Sequence, residues 1–283
     1  MRWKGRRQSD NVEDRRRLSG RKVAAGGGLG ALVLMALFWL LGGNPEEVMQ
    51  TLQTDSGYSI PSTGELSAHD EEMGQFISVV LADTEDVWAN LFREYGRTYH
   101  VPTLVLYRNQ VQSACGFSSA ATGPFYCPGD QKVYIDLDFL EQMQRRLGSP
   151  GDFAMAYVLA HEVGHHVQNL LGIMDQMPQW QRSLSRREFN QLMVRLELQA
   201  DFLAGVWVHH AQRMKNILEE GDMQEALNAA SAVGDDRIQK QTQGYVVPDS
   251  FTHGTSEQRM EWFLKGVKTG DIRRGDTFNA DDL

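Results

Sequence analysis

Two histidines and a glutamate in the middle of the chain have the types and the spacing of a metal site. His161, Glu162 and His165 form the pattern HExxH within YVLAHEVGHHVQNLLG, residues 157–172. On a helix, residues four apart lie one turn apart on the same face, so both imidazoles can bind one ion. A catalytic zinc keeps one position for water, whose pKa it lowers to about 7. Glu162 is the predicted base that takes a proton from that water.

The surroundings of this pattern favour a metal site. Between residues 153 and 171, Glu162 is the only Asp, Glu, Lys or Arg, as expected for a helix packed in a core. Ser149, Pro150 and Asp152 predict the start of this helix, and Gly172 predicts its end. The alternative is an amphipathic helix whose histidines are satisfied by other core or surface groups.

A second helical pattern, from about residue 186 to 217, offers the third ligand. It contains LELQADFLAG, in which Glu197 and Asp201 are four residues apart and share a face. Glu197 is the predicted third ligand if the connector turns this helix back. Asp201 is predicted to accept the free ring N–H of His161 or His165, which fixes the orientation of the ring. The alternative is an exposed acidic pair.

Two further histidines on the same helix are rival ligands. His209 and His210 lie three turns beyond Glu197, and adjacent helical residues cannot both face one metal. Glu197 is therefore the preferred ligand.

The C-terminal part offers a candidate hydrogen-bond donor for the oxyanion that would form if a metal-bound water attacked a carbonyl carbon. Thr255 and Gln258 predict a capping box at the start of a final helix. His253, just before this helix, is the first candidate for the donor, and Tyr245 is the second. The alternative role of His253 is a loop contact with the backbone. Arg259 is predicted to be an ion-pair partner within the scaffold.

The remaining pattern predicts an α+β body that is mostly helical and has a small sheet. A helix is expected from about residue 68 to 95, strands at Thr103–Tyr107 and Lys132–Asp136, and a connector broken by Pro178. One hypothesis makes Val133–Ile135 an exposed strand that pairs with an extended substrate. An ordinary strand inside the sheet is the alternative.

Charge is unevenly distributed along the 283 residues. Residues 1–22 hold nine Lys or Arg and three Asp or Glu, whereas the whole chain carries a net charge of −9. The body is therefore acidic, which argues against nucleic acid as a partner because phosphate binding needs clustered basic residues.

A membrane segment is predicted at residues 23–43, which hold no charged residue. A helix of this length spans about 31 Å, close to the thickness of a bilayer core. The expected organisation is a cytoplasmic basic tail (1–22), a single transmembrane anchor (23–43), a flexible linker (44–67) and a body (68–283) outside the cytoplasm. A cleaved signal peptide and a buried core helix are the alternatives.

Cys115 and Cys127 are the only cysteines of the chain. In an oxidising periplasm, a disulfide that closes the loop between them is the simplest use, and two free buried thiols are the alternative.

The motifs together resemble a known family. HEVGHHVQNLLG followed by LELQAD looks like the zincins whose third ligand is a glutamate on a following helix. CGFSSAATGPFYCPGD, KVYIDLDF and HGTSEQR extend this resemblance, from about residue 60 to 270, to a bacterial family of neutral zinc metallopeptidases. The resemblance implies a zincin-like fold, zinc bound by His161, His165 and Glu197, and Glu162 as general base. It implies little about the substrate.

The sequence thus predicts a peptidase of the bacterial inner membrane that uses Zn²⁺ to hydrolyse a peptide or protein. The alternative is a tethered binding or chaperone-like module that keeps the metal without turnover. A fourth protein ligand, for instance His166 or His209, would favour that alternative.

Overall fold

The computed structural model describes residues 1–17, 66–119, 123–140 and 151–281. The chain forms two compact units, one of Met1–Asp14 with Ala68–Leu283 and one of Arg15–Ser67. The predicted anchor at 23–43, and the predicted linker at 44–67 except for its last two residues, lie outside the described residues. Within the described ranges, none of the helices has the length and apolarity needed to cross a bilayer. The described helices and strands all belong to the first unit.

Helices form most of this unit. They are α1 (Ala68–Glu94), α2 (Phe153–Leu170), α3 (Met177–Ser183), α4 (Arg186–Lys215), α5 (Asp222–Ala232), α6 (Asp235–Gln243) and α7 (Ser256–Thr269). Short 3-10 turns lie at Met174–Gln176, Pro248–Ser250 and Ile272–Arg274. Helices α4 and α7 each begin with a capping box, in which a serine or threonine and the residue three positions later exchange hydrogen bonds.

Six short strands complete the unit among the described residues. They are β1 (Val12–Asp14), β2 (Thr103–Tyr107), β3 (Gln110–Ser113), β4 (Gly116–Ser119), β5 (Phe125–Cys127) and β6 (Lys132–Asp136). One sheet has the order β1-β2-β6-β5, and β3 with β4 forms a separate hairpin. Strands β1, β2 and β6 are parallel, while β5 is antiparallel to β6. The prediction of a mostly helical α+β unit with a small sheet is confirmed.

Strand β6 lies inside the sheet. It pairs with β2 on one side and with β5 on the other. The hypothesis that Val133–Ile135 is a free edge for a substrate strand is therefore wrong, because both of its neighbours already use its backbone groups. Val133–Asp136 are all buried, as expected for a strand that is covered on both faces.

Helix α2, which carries the HExxH pattern, lies at the centre of the unit. It contacts α1, α4, α5 and the strands β5 and β6. Its side chains Phe153 and Tyr157 are buried to at least 99%, as are Trp88 of α1 and Trp207 of α4. Burial of each such aromatic side chain stabilises the fold by roughly 1.5–3 kcal/mol or more. The metal-site helix is thus held on all sides by the core.

Two close helix crossings fix α4. A Cβ atom added to Gly164 of α2 would lie 2.9 Å from the carbonyl oxygen of Ala200 on α4. A Cβ added to Gly205 of α4 would lie 2.1 Å from the carbonyl oxygen of Phe263 on α7. Such distances leave no room for a side chain, so glycine permits the two approaches. The first crossing brings Glu197 towards the histidines.

The structure differs from the sequence prediction at the N-terminus. The first fourteen residues belong to the first unit, and Val12–Asp14 pairs in parallel with Leu104–Leu106 of β2. A separate basic tail over residues 1–22 is therefore not what the structure shows for Met1–Asp14. A three-residue strand has too little periodicity to be recognised, and its partner lies about ninety residues away.

The segment around Pro178 also differs. The sequence predicts a connector broken by proline, but Met177–Ser183 is helical and Pro178 stands in its first turn. Proline is tolerated there because the N–H it lacks has no partner within the helix at that position. The predicted helix start at Ser149 and Pro150 lies outside the described residues, and α2 begins after Asp152.

Candidate metal centre

The structure brings His161, His165 and Glu197 together. Their ligand atoms all lie within 4.8 Å of one another. The Nε2 atom of His161 is 3.2 Å from Oε2 of Glu197, and Nε2 of His165 is 3.5 Å from Oε1 of the same carboxylate. The three residues are only 7–9% exposed. Both imidazoles therefore direct the same ring nitrogen towards one carboxylate, at a point that solvent barely reaches.

Asp201 holds the far side of the His161 ring. Its Oδ1 lies 2.8 Å from Nδ1 of His161 and 2.5 Å from the hydroxyl oxygen of Tyr157. Arg259 donates to both oxygens of Asp201, from Nε at 2.7 Å and from Nη2 at 3.0 Å. An ionised carboxylate can only accept, so Nδ1 of His161 carries a hydrogen and Nε2 is the ring nitrogen that can bind a metal ion beside Glu197.

Gln168 holds the ring of the second histidine, His165, by a hydrogen bond to its Nδ1 atom. Nδ1 of His165 lies 2.9 Å from Oε1 of Gln168. The amide nitrogen of Gln168 donates to the carbonyl oxygen of Leu196 at 2.7 Å and to Oε1 of Gln199 at 3.1 Å. Because that nitrogen is the donor, Oε1 of Gln168 accepts from His165. The sequence prediction missed Gln168, although its position three residues after His165 on one helix face was a usable signal.

The charges around the site favour a cation between the two rings. Burial opposes a positive charge on His161, but Asp201 and Glu197 favour one and raise its pKa to about 10. Burial would raise the pKa of Glu197, but His165 and His161 outweigh it and hold that pKa well below its ordinary value. Burial is likewise outweighed at Asp201, where Arg259 and His161 lower the pKa to about 2. Both carboxylates are thus held ionised.

The other histidines of the two helices serve the scaffold. His166 is fully buried, with Nε2 2.6 Å from the carbonyl oxygen of His100 and Nδ1 3.0 Å from the Tyr126 hydroxyl. Burial lowers its pKa to about 4. Nδ1 of His209 and Nε2 of His210 each lie 2.8 Å from backbone carbonyl oxygens of the α7 region. In the described part of the chain, the cluster of His161, His165 and Glu197 has no fourth His, Cys, Asp or Glu ligand.

Glu162 lies beside His161 on α2 and is 7% exposed. No side chain of the described ranges forms an ion pair or hydrogen bond with its carboxylate, in contrast to Glu197 and Asp201. Among the described residues, the carboxylate of Glu162 is thus not engaged by another side chain.

His253 lies in a loop that Asp235 organises. One oxygen of Asp235 accepts from the backbone N–H groups of Thr252, His253 and Gly254 at 2.7, 2.6 and 3.1 Å. Its other oxygen is 3.2 Å from Nδ1 of His253. The sequence prediction missed Asp235, because it lies eighteen residues away on another element.

This loop packs beside the ligand Glu197. A Cβ added to Gly254 would lie 3.3 Å from Leu198 and from Val194, which flank Glu197 on α4. The hydrogen bond to Asp235 raises the pKa of His253 against the opposing effect of burial, and the charge of Glu197 adds to the increase. The side chain of His253 is half exposed. Tyr245, the second candidate, is 63% exposed, and no described contact links it to the metal centre.

Cys115 and Cys127 form a disulfide, which confirms that prediction. The disulfide joins the turn between β3 and β4 to the last residue of β5. Tyr126 of β5 contacts His166 on α2.

Comparison with known proteins decides the family. The sequence profile of the family described as "Putative neutral zinc metallopeptidase" matches residues 1–278. The chain belongs to this family. Among the curated relatives, "Uncharacterized protein YpfJ" of Escherichia coli K12 is 49% identical over 98% of this chain and 99% of its own length. "Uncharacterized protein Rv2575" of Mycobacterium tuberculosis H37Rv is 44% identical over 70% of this chain and 68% of its own length. No solved structure matches.

The donor set fits the metal that the family's description names. Two neutral imidazole nitrogens and one carboxylate are a set that zinc uses when it keeps an open position. The partners Asp201 and Gln168 give both rings the tautomer that ligation through Nε2 requires. His161, His165 and Glu197 are therefore suited to hold Zn²⁺ through three protein ligands.

Proposed function

We propose that the protein is a zincin-like peptidase that uses zinc to hydrolyse peptide bonds. The observation that carries this proposal is the convergence of the His161 and His165 Nε2 atoms on Glu197, with both Nδ1 atoms already bound to acceptors. A three-ligand set leaves a position for substrate or water, which is typical of catalytic rather than structural zinc.

A zinc ion held by His161, His165 and Glu197 would supply Lewis-acid polarisation of the peptide carbonyl and would make a nearby water more acidic. Glu162 accepts a proton from the water that attacks the carbonyl carbon. It then delivers this proton to the leaving amine as the carbon–nitrogen bond breaks and the new carbon–oxygen bond remains. His253 donates a hydrogen bond to the carbonyl oxygen as negative charge develops on it.

The scaffold residues have separate tasks in this proposal. Asp201 and Gln168 orient the two rings, and Arg259 with Tyr157 keeps Asp201 ionised and in place. Because these contacts are made before substrate arrives, the ligands need little reorganisation during the reaction.

The alternative, a binding module that keeps its metal without turnover, is less well supported. It would be favoured by a fourth protein ligand, but His166 and His209 hydrogen-bond to backbone carbonyls elsewhere. The membrane anchor at residues 23–43 stays a prediction, because it lies outside the described residues.

Zinc content and hydrolysis of a broad peptide mixture test the proposal in the wild type, in Glu162→Gln and in the control Glu257→Gln. Glu257 is exposed in the first turn of α7. We expect about one zinc per chain in all three, and hydrolysis lower by 10²–10⁴-fold in Glu162→Gln alone. Undiminished cleavage by Glu162→Gln, or a wild type that holds no zinc, would refute the proposal.

A further inference from the structure

The N-terminal segment, Met1–Asp14, pairs through its backbone with the rest of the first unit, Ala68–Leu283. Val12, Glu13 and Asp14 lie opposite Leu104, Val105 and Leu106 of β2 in a parallel ladder. The backbone N–H of Leu104 also donates to the carbonyl oxygen of Asn11 at 2.9 Å. The segment therefore covers the edge of β2, which would otherwise present unpaired backbone groups.

Its basic side chains are matched to buried carboxylates on α1. Nη2 of Arg6 lies 2.5 Å from Oδ1 of Asp83, whose side chain is 2% exposed. Arg7 pairs with Glu85 at 3.0 Å, and the side chains of Ser9 and Asn11 also donate to Glu85. Glu85 is itself 7% exposed. Buried carboxylates need such partners, because an unpaired buried charge is costly.

Apolar and backbone contacts hold the segment along α1 as well. The ring of Trp3 stands edge-on to Phe76 with centroids 5.5 Å apart. Ser9 and Ser78 exchange two hydrogen bonds, one between backbone atoms at 3.1 Å and one from the Ser78 hydroxyl at 3.1 Å. Similarity to the family also begins at residue 1. Residues 1–14 are thus matched to the unit along their whole length.

We infer that Met1–Asp14 and the remainder of the first unit, Ala68–Leu283, fold in the same compartment. Asp14 and Ala68 then lie on the same side of any membrane. Hydrogen bonds of about 3 Å and buried ion pairs cannot form across a bilayer core about 30 Å thick. A single crossing by residues 23–43 would place β1 and β2 on opposite faces. The inference is independent of the proposed peptidase activity, and it opposes the arrangement with a cytoplasmic N-terminus and an exported body.

Cysteine labelling in intact cells tests this inference on the full chain. Gln8→Cys in the segment and Lys240→Cys on α6 each introduce one thiol at an exposed position, in a background with Cys115→Ser and Cys127→Ser. A membrane-impermeant maleimide is applied before and after the cells are opened. We expect both positions to respond alike, labelled in intact cells or protected in both variants until the cells are opened. Opposite responses would overturn the inference.

Thermal unfolding of the full chain, with its cysteines retained, in isolated membranes gives a second measurement. Arg6→Ala removes a partner of buried Asp83, whereas the control Lys4→Ala removes an exposed pair with Glu72 whose side chains are 74% and 52% exposed. We expect Arg6→Ala to lower Tm by about 5 °C and Lys4→Ala by less than about 1 °C. Equal Tm values for the two variants would show that the segment is not docked in the membrane-bound protein, contrary to the inference.

Discussion

Among the described residues, two clusters bring three ligating side chains together, but only one is suited to a metal. His161, His165 and Glu197 form the first cluster, and Asp152, Asp222 and Glu225 form the second; in each, the ligand atoms lie within 4.8 Å of one another. The first offers the Nε2 atoms of two histidines beside one carboxylate. The second consists of carboxylates alone.

The second cluster is already satisfied by other groups. The amino group of Met1 lies 2.5 Å from Asp152 and 3.3 Å from Asp222. Glu225 accepts from the backbone N–H of Phe153 at 3.1 Å, at the start of α2. These carboxylates balance a cation of the chain itself and cap a helix. Proximity of ligand atoms therefore does not identify a metal site; the hydrogen bonds behind the ligands do.

Loss of a ligand from each cluster gives the largest expected contrast. Glu197→Ala should lower zinc affinity by more than the roughly 10–100-fold that loss of an outer partner costs, because it removes a direct ligand. Asp222→Asn should change it by less than about twofold, since its partner is the Met1 amino group. Titration against a chromophoric zinc chelator measures both. A similar loss in the two variants would mean that both clusters bind zinc.

Removal of an outer partner should have the next largest effect. Asp201→Asn keeps the shape of the side chain but weakens its hold on His161 and leaves buried Arg259 without a charged partner. We expect zinc affinity to fall by about 10–100-fold. The control is Asp249→Asn, which removes an ion pair with Arg187 whose side chains are both 65% exposed. If Asp249→Asn weakened zinc binding as much, the role assigned to Asp201 would be wrong.

A glycine-to-alanine substitution near each cluster tests whether zinc binding depends on the spacing between helices. Gly164→Ala forces α2 and α4 apart at Ala200 and should lower both the stability, by about 1–3 kcal/mol, and the zinc affinity, by roughly tenfold. In Gly151→Ala the three atoms nearest to the new methyl group belong to the carboxylate end of Glu225, which lies in the second cluster, so zinc affinity should be unchanged. Calorimetry and the same chelator titration report the two quantities. Unaltered zinc affinity in Gly164→Ala would show that Glu197 does not depend on this crossing.

The Asp235–His253 pair gives the smallest expected effect, as a change in pH dependence. The hydrogen bond to Asp235 raises the pKa of His253 above 6.5. The stability that the ion pair contributes is therefore fully present below pH 6.5, and it is lost as pH rises through the folded-state pKa, where the imidazole loses its charge. Asp235→Asn should lower that pKa and move the basic limb of kcat/KM to lower pH. His253→Gln should remove this limb. A limb that stays in place in both variants would exclude His253 from the reaction.

Much of the metal centre can be predicted from local sequence. Residues four apart on a helix must share a face, so the sequence is enough to pair His161 with His165, and the same argument selects Glu197 with Asp201. The capping residues Thr255 and Gln258 also predict the start of α7 correctly. These features depend on neighbours within one turn of one helix.

The features that sequence reasoning missed depend on contacts between distant segments. Asp235 reaches His253 from another helix, and β1 finds its partner about ninety residues along the chain. The basic residues of the N-terminus suggest a solvated tail because charge counts do not show which carboxylates Arg6 and Arg7 will meet. Local patterns carry no information on such pairing.

The glycine crossings on either side of α4 have a mechanical consequence. Gly164 of α2 lies close to the backbone of this helix at Ala200, and Gly266 of α7 lies close to its backbone at Phe202. The helices cannot shift along one another at these contacts without a steric clash, so α4, with Glu197 and Asp201, forms one rigid group with α2 and α7. The loop around His253 is held differently, by hydrogen bonds from three backbone N–H groups to the carboxylate of Asp235 on α6. In the proposed peptidase, this loop is therefore the part of the site that would adjust to substrates of different size.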